Sequence, residues 1–216
     1  MTELRTRGFE IMNGPFSTDG VSEVADAYDT VFGTLSKERI KRGSTSARFG
    51  GLAGLEPFYR IYVHAPLLEL AREYLGGPFK LSSFHARTLQ PHTPAPPLHQ
   101  DVRPGADGDP LVGFIFMVDP FRADNGATRF LPGAKQLARP PRDVPEQQAC
   151  GPAGSLLVFD GATWHEHGAN RTDTPRRSIQ GYFVRREHTA AVRWSEELSG
   201  EQAKHISAEA RSLLCL

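Results

Sequence analysis

Leu111-Val-Gly-Phe-Ile-Phe-Met-Val118 is a continuous apolar run in the middle of the chain, and Ser155-Leu-Leu-Val-Phe159 is a shorter run downstream. Short apolar runs bounded by turn residues are typical of strands that are buried on both faces. Asp107-Gly-Asp-Pro110 precedes the first run and Asp160-Gly161 follows the second, so each run has a turn signal at one end. The two runs predict a β-rich domain whose central strands are covered on both sides.

The flanking sequence continues as short segments separated by proline and glycine, which also indicates a β-rich domain. Further strands are predicted at Phe79–Leu89, Ala127–Leu131, Thr163–Gly168 and Arg176–Arg185. Pro91 to Pro97 contains four prolines in seven residues. It cannot be a central strand, because proline lacks the N–H that a sheet requires. We expect it to be a rigid lead-in to the residues that follow.

The N-terminal part carries both strand and helix signals. Gly8–Met12 predicts a short strand, and Val21–Leu35 predicts a helix, because its apolar residues recur at intervals of three and four. A second helix is predicted from about Pro66 to Leu75. The charged segment Lys37–Arg42 and the segment Ser44–Gly54, rich in Gly and Ser, predict a mobile loop able to cover a site.

After Glu187 the sequence predicts a polar helix. It would pack through four apolar residues, Leu198, Ile206, Leu213 and Leu214. We find no internal repeat and no linker, so we expect one domain over residues 1–216. Its expected parts are an N-terminal helical part at about 1–78, a β core at about 79–186 and a C-terminal helical tail at about 187–216.

Charge and composition restrict the class of partner. Lys and Arg together number 25, as do Asp and Glu, so the net charge is zero and nothing favours nucleic acid or an anionic membrane. With 39% hydrophobic and 23% charged residues, the composition is that of an ordinary globular protein. We therefore expect a small-molecule substrate, no nucleic acid and no membrane partner, and we leave the oligomeric state open.

The cysteines and the N-terminal residues indicate the cellular compartment. Cys150 and Cys215 are the two cysteines of the sequence, too few for a disulfide framework, which favours a reducing compartment. Met1–Asn13 carries several charges and lacks the apolar run of a signal peptide. We expect a cytoplasmic protein.

Leu98-His99-Gln100-Asp101 carries the clearest chemical signal. Side chains alternate along an extended segment, so His99 and Asp101 project to the same side and can bind one metal ion. Two His and one carboxylate on one face of an octahedron form the site of non-haem Fe(II) oxygenases. The chain must then supply a second His. Trp164-His165-Glu166-His167 offers two, and strand periodicity alone does not separate them.

Four stretches follow one another in an order that is more specific than any one of them. They are Leu98-His-Gln-Asp101, Asn125-Gly-Ala-Thr-Arg-Phe-Leu-Pro-Gly133, Gly154-Ser-Leu-Leu-Val-Phe-Asp-Gly161, and Trp164-His-Glu-His-Gly-Ala-Asn170 running on to Pro175-Arg-Arg177. In this order they resemble the phytanoyl-CoA dioxygenase family of Fe(II)/2-oxoglutarate oxygenases. The N-terminal strand and helix also look like the opening of that family, so the resemblance covers most of the chain.

The resemblance implies a mainly β fold with flanking helices and a double-stranded β-helix (jelly-roll, cupin-like) core. It implies that His99, Asp101 and His165 are the catalytic ligands of Fe(II). It also implies that Arg176, eleven residues beyond His165, binds the distal carboxylate of 2-oxoglutarate, the cosubstrate used with O2. A guanidinium is a fitting partner for a carboxylate. Strand alternation directs Arg176 and Arg177 to opposite faces, so only one can enter the barrel.

Three further residues are candidates for the pocket. We expect Thr128 on the cosubstrate side, and His167 and Arg87 on the substrate side. The family often has Ser at the position of His167, and Ala134-Lys135 stands where the family usually has Ser-His. Neither departure changes an expected metal ligand.

The activity implied by the resemblance is oxidation of a small molecule. Hydroxylation is the default outcome, and cyclisation, desaturation or epimerisation would need a differently held substrate. We expect a compound of bacterial secondary or small-molecule metabolism more than a fatty acyl-CoA, because the chain lacks a carrier-like charge patch. The alternatives are a cupin-type metal-dependent isomerase or hydrolase without 2-oxoglutarate, and a non-catalytic small-molecule-binding barrel. Arg176 favours the oxygenase, because neither alternative requires a buried guanidinium facing the metal.

Overall fold

The computed structural model describes residues 2–32, 40–41, 44–47, 50–102, 110–134 and 137–216. The strands in these residues are β1 Phe9–Asn13, β2 Ile40–Lys41, β3 Ser44–Ala47, β4 Phe79–Leu89, β5 Leu111–Met117, β6 Thr128–Phe130, β7 Gln147–Ala149, β8 Ser155–Asp160, β9 His165–His167 and β10 Arg176–Arg185. The helices are α1 Glu3–Thr6, α2 Thr18–Phe32, α3 Tyr59–Tyr62, α4 Ala65–Leu75, α5 Trp194–Glu197, α6 Gly200–His205 and α7 Ala208–Leu214, with a 3-10 helix at Gly50–Gly54.

The strands form two antiparallel sheets. The large sheet has the order β1-β8-β5-β10-β4-β3-β2, and the small sheet has the order β7-β6-β9. Strand β5 pairs with β8 on one side and with β10 on the other, so its backbone groups are paired along both edges. The two apolar runs form the buried strands β5 and β8, as predicted, and these strands are neighbours in the sheet.

Strand β5 is buried on both faces because its alternate side chains enter two different cores. Phe114 and Phe116 belong to a core that includes residues of α2 and α4. Ile115 and Met117 belong to a second core between the sheets, which also contains Phe130 of β6. Successive strand residues point to opposite faces, so a strand covered on both sides needs a continuous apolar run. The result is a two-sheet sandwich flanked by helices, as expected for a jelly-roll core.

The segment Ser44–Gly54, predicted to be a mobile loop, contains β3 and the 3-10 helix instead. Strand β3 pairs with β4 from Ser44 opposite Leu89 to Ala47 opposite Ala86. This pairing uses backbone groups, so it needs no apolar repeat that the sequence could reveal. The loop prediction for Lys37–Arg42 lies outside the described residues except at β2, as does the predicted end of the first helix at Leu35.

Other elements also differ from the prediction. The part predicted as flanking and helical, about 1–78, also contributes strands to the large sheet: β1, which was predicted, and β2 and β3, which were not. Strand β7 has no apolar repeat, since Gln147 and Gln148 are both exposed, and it escaped prediction. The tail contains three short helices in place of one, because Ser199 and Ser207 cap two new helix starts. Leu198, Ile206, Leu213 and Leu214 are buried, as predicted. Within the described ranges, no helix is long and apolar enough to cross a membrane.

Candidate functional site

His99, Asp101 and His165 lie together, and one ligand atom from each is within 4.8 Å of the others. Nε2 of His99 is 3.3 Å from Oδ1 of Asp101, and Nε2 of His165 is 3.5 Å from Oδ2 of the same carboxylate. The Nε2 atoms of both imidazoles therefore face the carboxylate of Asp101. This is the one group of three or more His, Cys, Asp or Glu side chains with metal-binding geometry in the part of the chain that the structure describes.

The backbone brings these three residues together from two segments. His99 and His165 form an antiparallel bridge, with N–H donors 3.0 and 2.9 Å from the opposite carbonyl oxygens. Two residues later, the N–H of Asp101 donates to the carbonyl of Gly161 at 2.8 Å. The segment is thus extended over His99–Asp101, and its alternate side chains face the same way, as the spacing predicts.

His165 is held in the form that can bind a metal. Its side chain is buried, and its Nδ1 lies 2.8 Å from the carbonyl oxygen of Thr163, so Nδ1 carries the proton and donates. The lone pair is then on Nε2, which faces Asp101. Burial lowers the pKa of His165 and favours the neutral ring. A second hydrogen bond that fixes ring and tautomer is a regular feature of metal-binding histidines.

Arg176 lies at the start of β10, and its side chain is 2% exposed. Its Nε and Nη1 are buried and have no hydrogen-bond partner among the described residues. The guanidinium carbon lies 3.9 Å from the ring centroid of Phe121. Burial, together with the neighbouring charge of Arg87, lowers the pKa of Arg176 to about 9. The site therefore contains a cation whose donors are available to an anionic ligand.

The neighbouring Arg177 points the other way, as strand alternation predicts. It donates to both carboxylate oxygens of Asp119 at 2.7 and 3.0 Å, and to Asp29 of α2 at 2.8 Å. These acidic partners raise its pKa. Arg177 therefore links α2 to the large sheet through its ion pair with Asp29.

A cavity of about 50 Å3 is lined by Arg176, His99 and His165. The remaining predicted pocket residues, Arg87, Thr128 and His167, also line it. Nδ1 of His167 lies 2.7 Å from the carbonyl of Gly168, whereas its buried Nε2 has no hydrogen-bond partner among the described residues and lies 3.8 Å from Oε1 of Glu166. Burial lowers the pKa of His167. His167 therefore presents a polar atom to the cavity and stands outside the group of three at Asp101.

Two residues that contact the proposed metal ligands escaped prediction. Tyr182 follows Arg176 by six residues on β10, so the same alternation that places Arg176 could have identified it. Burial and the adjacent charge of Asp101 raise the pKa of Tyr182, whose phenol is hydrogen-bonded to Asp101.

Glu166 is the second residue that was missed. It stands between two inward-facing histidines, so alternation directs it away from the barrel and gives no signal. Its Oε2 nevertheless lies 3.5 Å from Nδ1 of His99. Burial would raise the pKa of Glu166, but hydrogen bonds from His99 and the backbone N–H of His167 lower it to about 2.

The residues present fit Fe(II) and a dicarboxylate cosubstrate. Two imidazole nitrogens and one carboxylate are the donor set that non-haem iron oxygenases use. Arg176 adds the buried, unpaired donors that a carboxylate can satisfy, in the same cavity as the two histidines.

Comparisons with known proteins identify the family of the chain. The model of the family phytanoyl-CoA dioxygenase (PhyH) matches residues 5–178. Dioxygenase af480 of Aspergillus fumigatus is 29% identical over 177 residues, which are 76% of this chain and 57% of that protein. The chain spans about half the length of the curated relatives it matches.

Two solved structures have similar folds. The epimerase SnoN, in complex with Fe3+, alpha ketoglutarate and nogalamycin RO, has a TM-score of 0.73 at 18% identity, covering 92% of this chain and 88% of that one. HygX from Streptomyces hygroscopicus, with nickel, 2-oxoglutarate and hygromycin B bound, has a TM-score of 0.68 at 16% identity, covering 87% and 86%. At such identities the likeness shows a shared fold, the double-stranded β-helix predicted from the sequence. Because the family model matches most of the sequence, the chain belongs to the phytanoyl-CoA dioxygenase (PhyH) family.

Proposed function

We propose that this protein is an Fe(II)- and 2-oxoglutarate-dependent dioxygenase that oxidises a small organic molecule. The observation that carries the proposal is Arg176, a buried guanidinium whose Nε and Nη1 are unpaired among the described residues. It lies in the same cavity as His99 and His165. A charged group without a partner is costly inside a protein unless a ligand completes it. A cosubstrate with one end at the metal and a carboxylate at the other supplies that partner.

His99, Asp101 and His165 would hold the metal, through Nε2 of each histidine and a carboxylate oxygen. When bound there, Fe(II) with 2-oxoglutarate and O2 supplies the oxidising chemistry, in which 2-oxoglutarate loses CO2 to give succinate and a substrate C–H bond is oxidised. Tyr182 stays a neutral phenol because burial raises its pKa. It donates to Asp101 and so restricts the orientation of that carboxylate.

The other pocket residues would bind and orient the organic molecules. Arg176 would bind the distal carboxylate of 2-oxoglutarate, and Thr128, buried opposite His167 in the small sheet, would contact the same end. His167 would orient the cosubstrate through Nε2. Arg87, which also lines the cavity, stands on the substrate side. The rings of Phe130 and Phe159 pack against His165 and exclude water from that side.

Access to the site is from the side of His99. The side chain of His99 is 47% exposed, whereas that of His165 is 6% exposed. Substrate would therefore approach past His99, with Arg176 at the closed end. We propose a metabolite of bacterial secondary or small-molecule metabolism as the substrate. Similar folds that bind hygromycin B or nogalamycin RO support a metabolite of this kind.

Two features of the whole chain also remain proposals. We propose that the 216 residues form one oxygenase domain, because residues of both termini pack in the core that covers one face of the large sheet. We propose a cytoplasmic location, which the two free cysteines support.

The test of the proposed function is succinate formation in a metabolite screen. Succinate should appear only when Fe(II), 2-oxoglutarate and O2 are all present, and a true substrate should increase its rate. A cupin-type isomerase or hydrolase would convert its substrate without consuming 2-oxoglutarate. A binding barrel would form no succinate under any combination. Either result would overturn the proposal.

A further inference from the structure

The carboxylate of Glu166 contacts one proposed metal ligand, His99, and the backbone of His167. Its Oε2 lies 3.5 Å from Nδ1 of His99. Its Oε1 accepts a 2.9 Å hydrogen bond from the backbone N–H of His167. The side chain is 13% exposed, so water competes weakly for the carboxylate. The second contact holds one oxygen and leaves the other directed at His99.

The basic residue opposite Glu166 is engaged elsewhere. Arg129 of β6 faces Glu166 across the strand pair. Its Nη1 donates to both carboxylate oxygens of Glu146 at 2.8 and 2.9 Å, and its Nη2 donates to the carbonyl of Pro96. Arg129 therefore forms its ion pair with Glu146 and not with Glu166, the residue opposite it in the sheet. Glu166 is not needed to neutralise Arg129.

The two histidines of the site are restrained in different ways. His165 is buried, and its Nδ1 lies 2.8 Å from a backbone carbonyl. His99 is about half exposed, and the group at its Nδ1 is the carboxylate of Glu166. A metal-binding histidine needs a partner for its other nitrogen, because that partner fixes both the tautomer and the ring. His99 has the greater need of such a partner, because its more exposed ring is less restrained by packing.

We propose that Glu166 is a positioning residue for the metal site. It accepts the Nδ1–H of His99 and so keeps Nε2 of His99 directed at Asp101. This inference rests on the proposed function, because it assumes that His99, Asp101 and His165 hold a metal ion.

The test is titration of the metal-free protein with Co(II) alone, followed by its visible spectrum. Glu166→Ala should weaken Co(II) binding by about 10- to 100-fold, the usual effect of removing an outer partner of a ligand. Glu166→Gln should fall between wild type and Glu166→Ala, because its amide oxygen still accepts a hydrogen bond without the charge. The matched controls are Glu146→Ala and Glu146→Gln, which alter the carboxylate paired with Arg129. They should leave Co(II) affinity unchanged.

Thermal unfolding with and without Co(II) separates positioning from a structural role. We expect Glu166→Ala to leave the unfolding temperature of the metal-free protein close to that of wild type and to reduce the rise produced by Co(II). If Glu166→Ala lowers the metal-free unfolding temperature and binds Co(II) as tightly as wild type, Glu166 is structural and the inference is wrong. If wild-type protein binds no Co(II), the proposed metal site is wrong, and with it the proposed function.

Discussion

Replacing Arg176 with leucine should remove most of the affinity for 2-oxoglutarate and leave metal binding nearly intact. Arg176 is 2% exposed, so a carboxylate bound to its guanidinium forms a buried, hydrogen-bonded charge pair. Removing one partner of such a pair costs roughly 2–5 kcal/mol. At about 1.4 kcal/mol for each factor of ten, this corresponds to a dissociation constant about 30- to 4,000-fold larger.

The same substitution should stabilise the protein when no cosubstrate is present. Wild type buries Arg176 with Nε and Nη1 unpaired among the described residues, and an unpaired buried charge opposes folding. The contact between the guanidinium and the ring of Phe121 offsets part of that cost. Leucine carries no charge and can pack on the ring of Phe121. Weaker cosubstrate binding should therefore accompany a higher unfolding temperature of the cosubstrate-free protein.

The assay is calorimetric titration of 2-oxoglutarate into Ni(II)-loaded protein, with Ni(II) affinity measured separately. Arg177→Leu is the matched control, because it removes the same side chain from the opposite face of β10. It breaks bonds to Asp119 and Asp29, so it should lower the unfolding temperature and leave 2-oxoglutarate affinity unchanged. Equal effects of the two variants on 2-oxoglutarate would refute the assignment of Arg176.

The remaining predictions concern the metal ligands and the core. Asp101→Ala should lose iron and hydroxylation, because two imidazoles alone hold Fe(II) poorly. Wild type supplied with chloride should give no halogenated product, because the carboxylate of Asp101 fills the position that a halide would need. His165→Ala should lose iron, whereas His167→Ala should keep iron and change 2-oxoglutarate affinity; the reverse pattern in iron analysis would move the ligand assignment by two residues. Gly113→Ala should lower the free energy of unfolding by about 1–3 kcal/mol, because its Cβ would collide with the ring of Phe159, which packs on His165. An unchanged urea midpoint would contradict this last prediction.

The sequence predicted those parts of the site that depend on local periodicity. His99 and Asp101 are two residues apart on an extended segment, and a period of two directs both to one side. The same rule separates Arg176 from Arg177, and their buried and half-buried environments agree with it. The long apolar run of β5 predicted a strand covered on both faces, because only such a strand has no polar side.

The sequence did not predict features that depend on partners distant in the chain. Alternation directs Glu166 away from the barrel, but its flexible side chain turns back toward His99, which is distant in sequence. Strand β3 exists because β4 presents an open edge, and residues 44–47 carry no strand pattern of their own. A long polar side chain and a sheet edge can each find a partner that no local pattern specifies.

The most direct test of the central claim is an anaerobic absorption titration of the Fe(II)-loaded protein with 2-oxoglutarate. Binding of the keto-acid end to Fe(II) should produce a weak visible charge-transfer band that saturates with one 2-oxoglutarate per iron. Arg176→Leu should require a far higher 2-oxoglutarate concentration to reach the same band. If wild type binds Fe(II) but no band appears at any 2-oxoglutarate concentration, the metal and the buried guanidinium do not form one cosubstrate site, and the account is wrong.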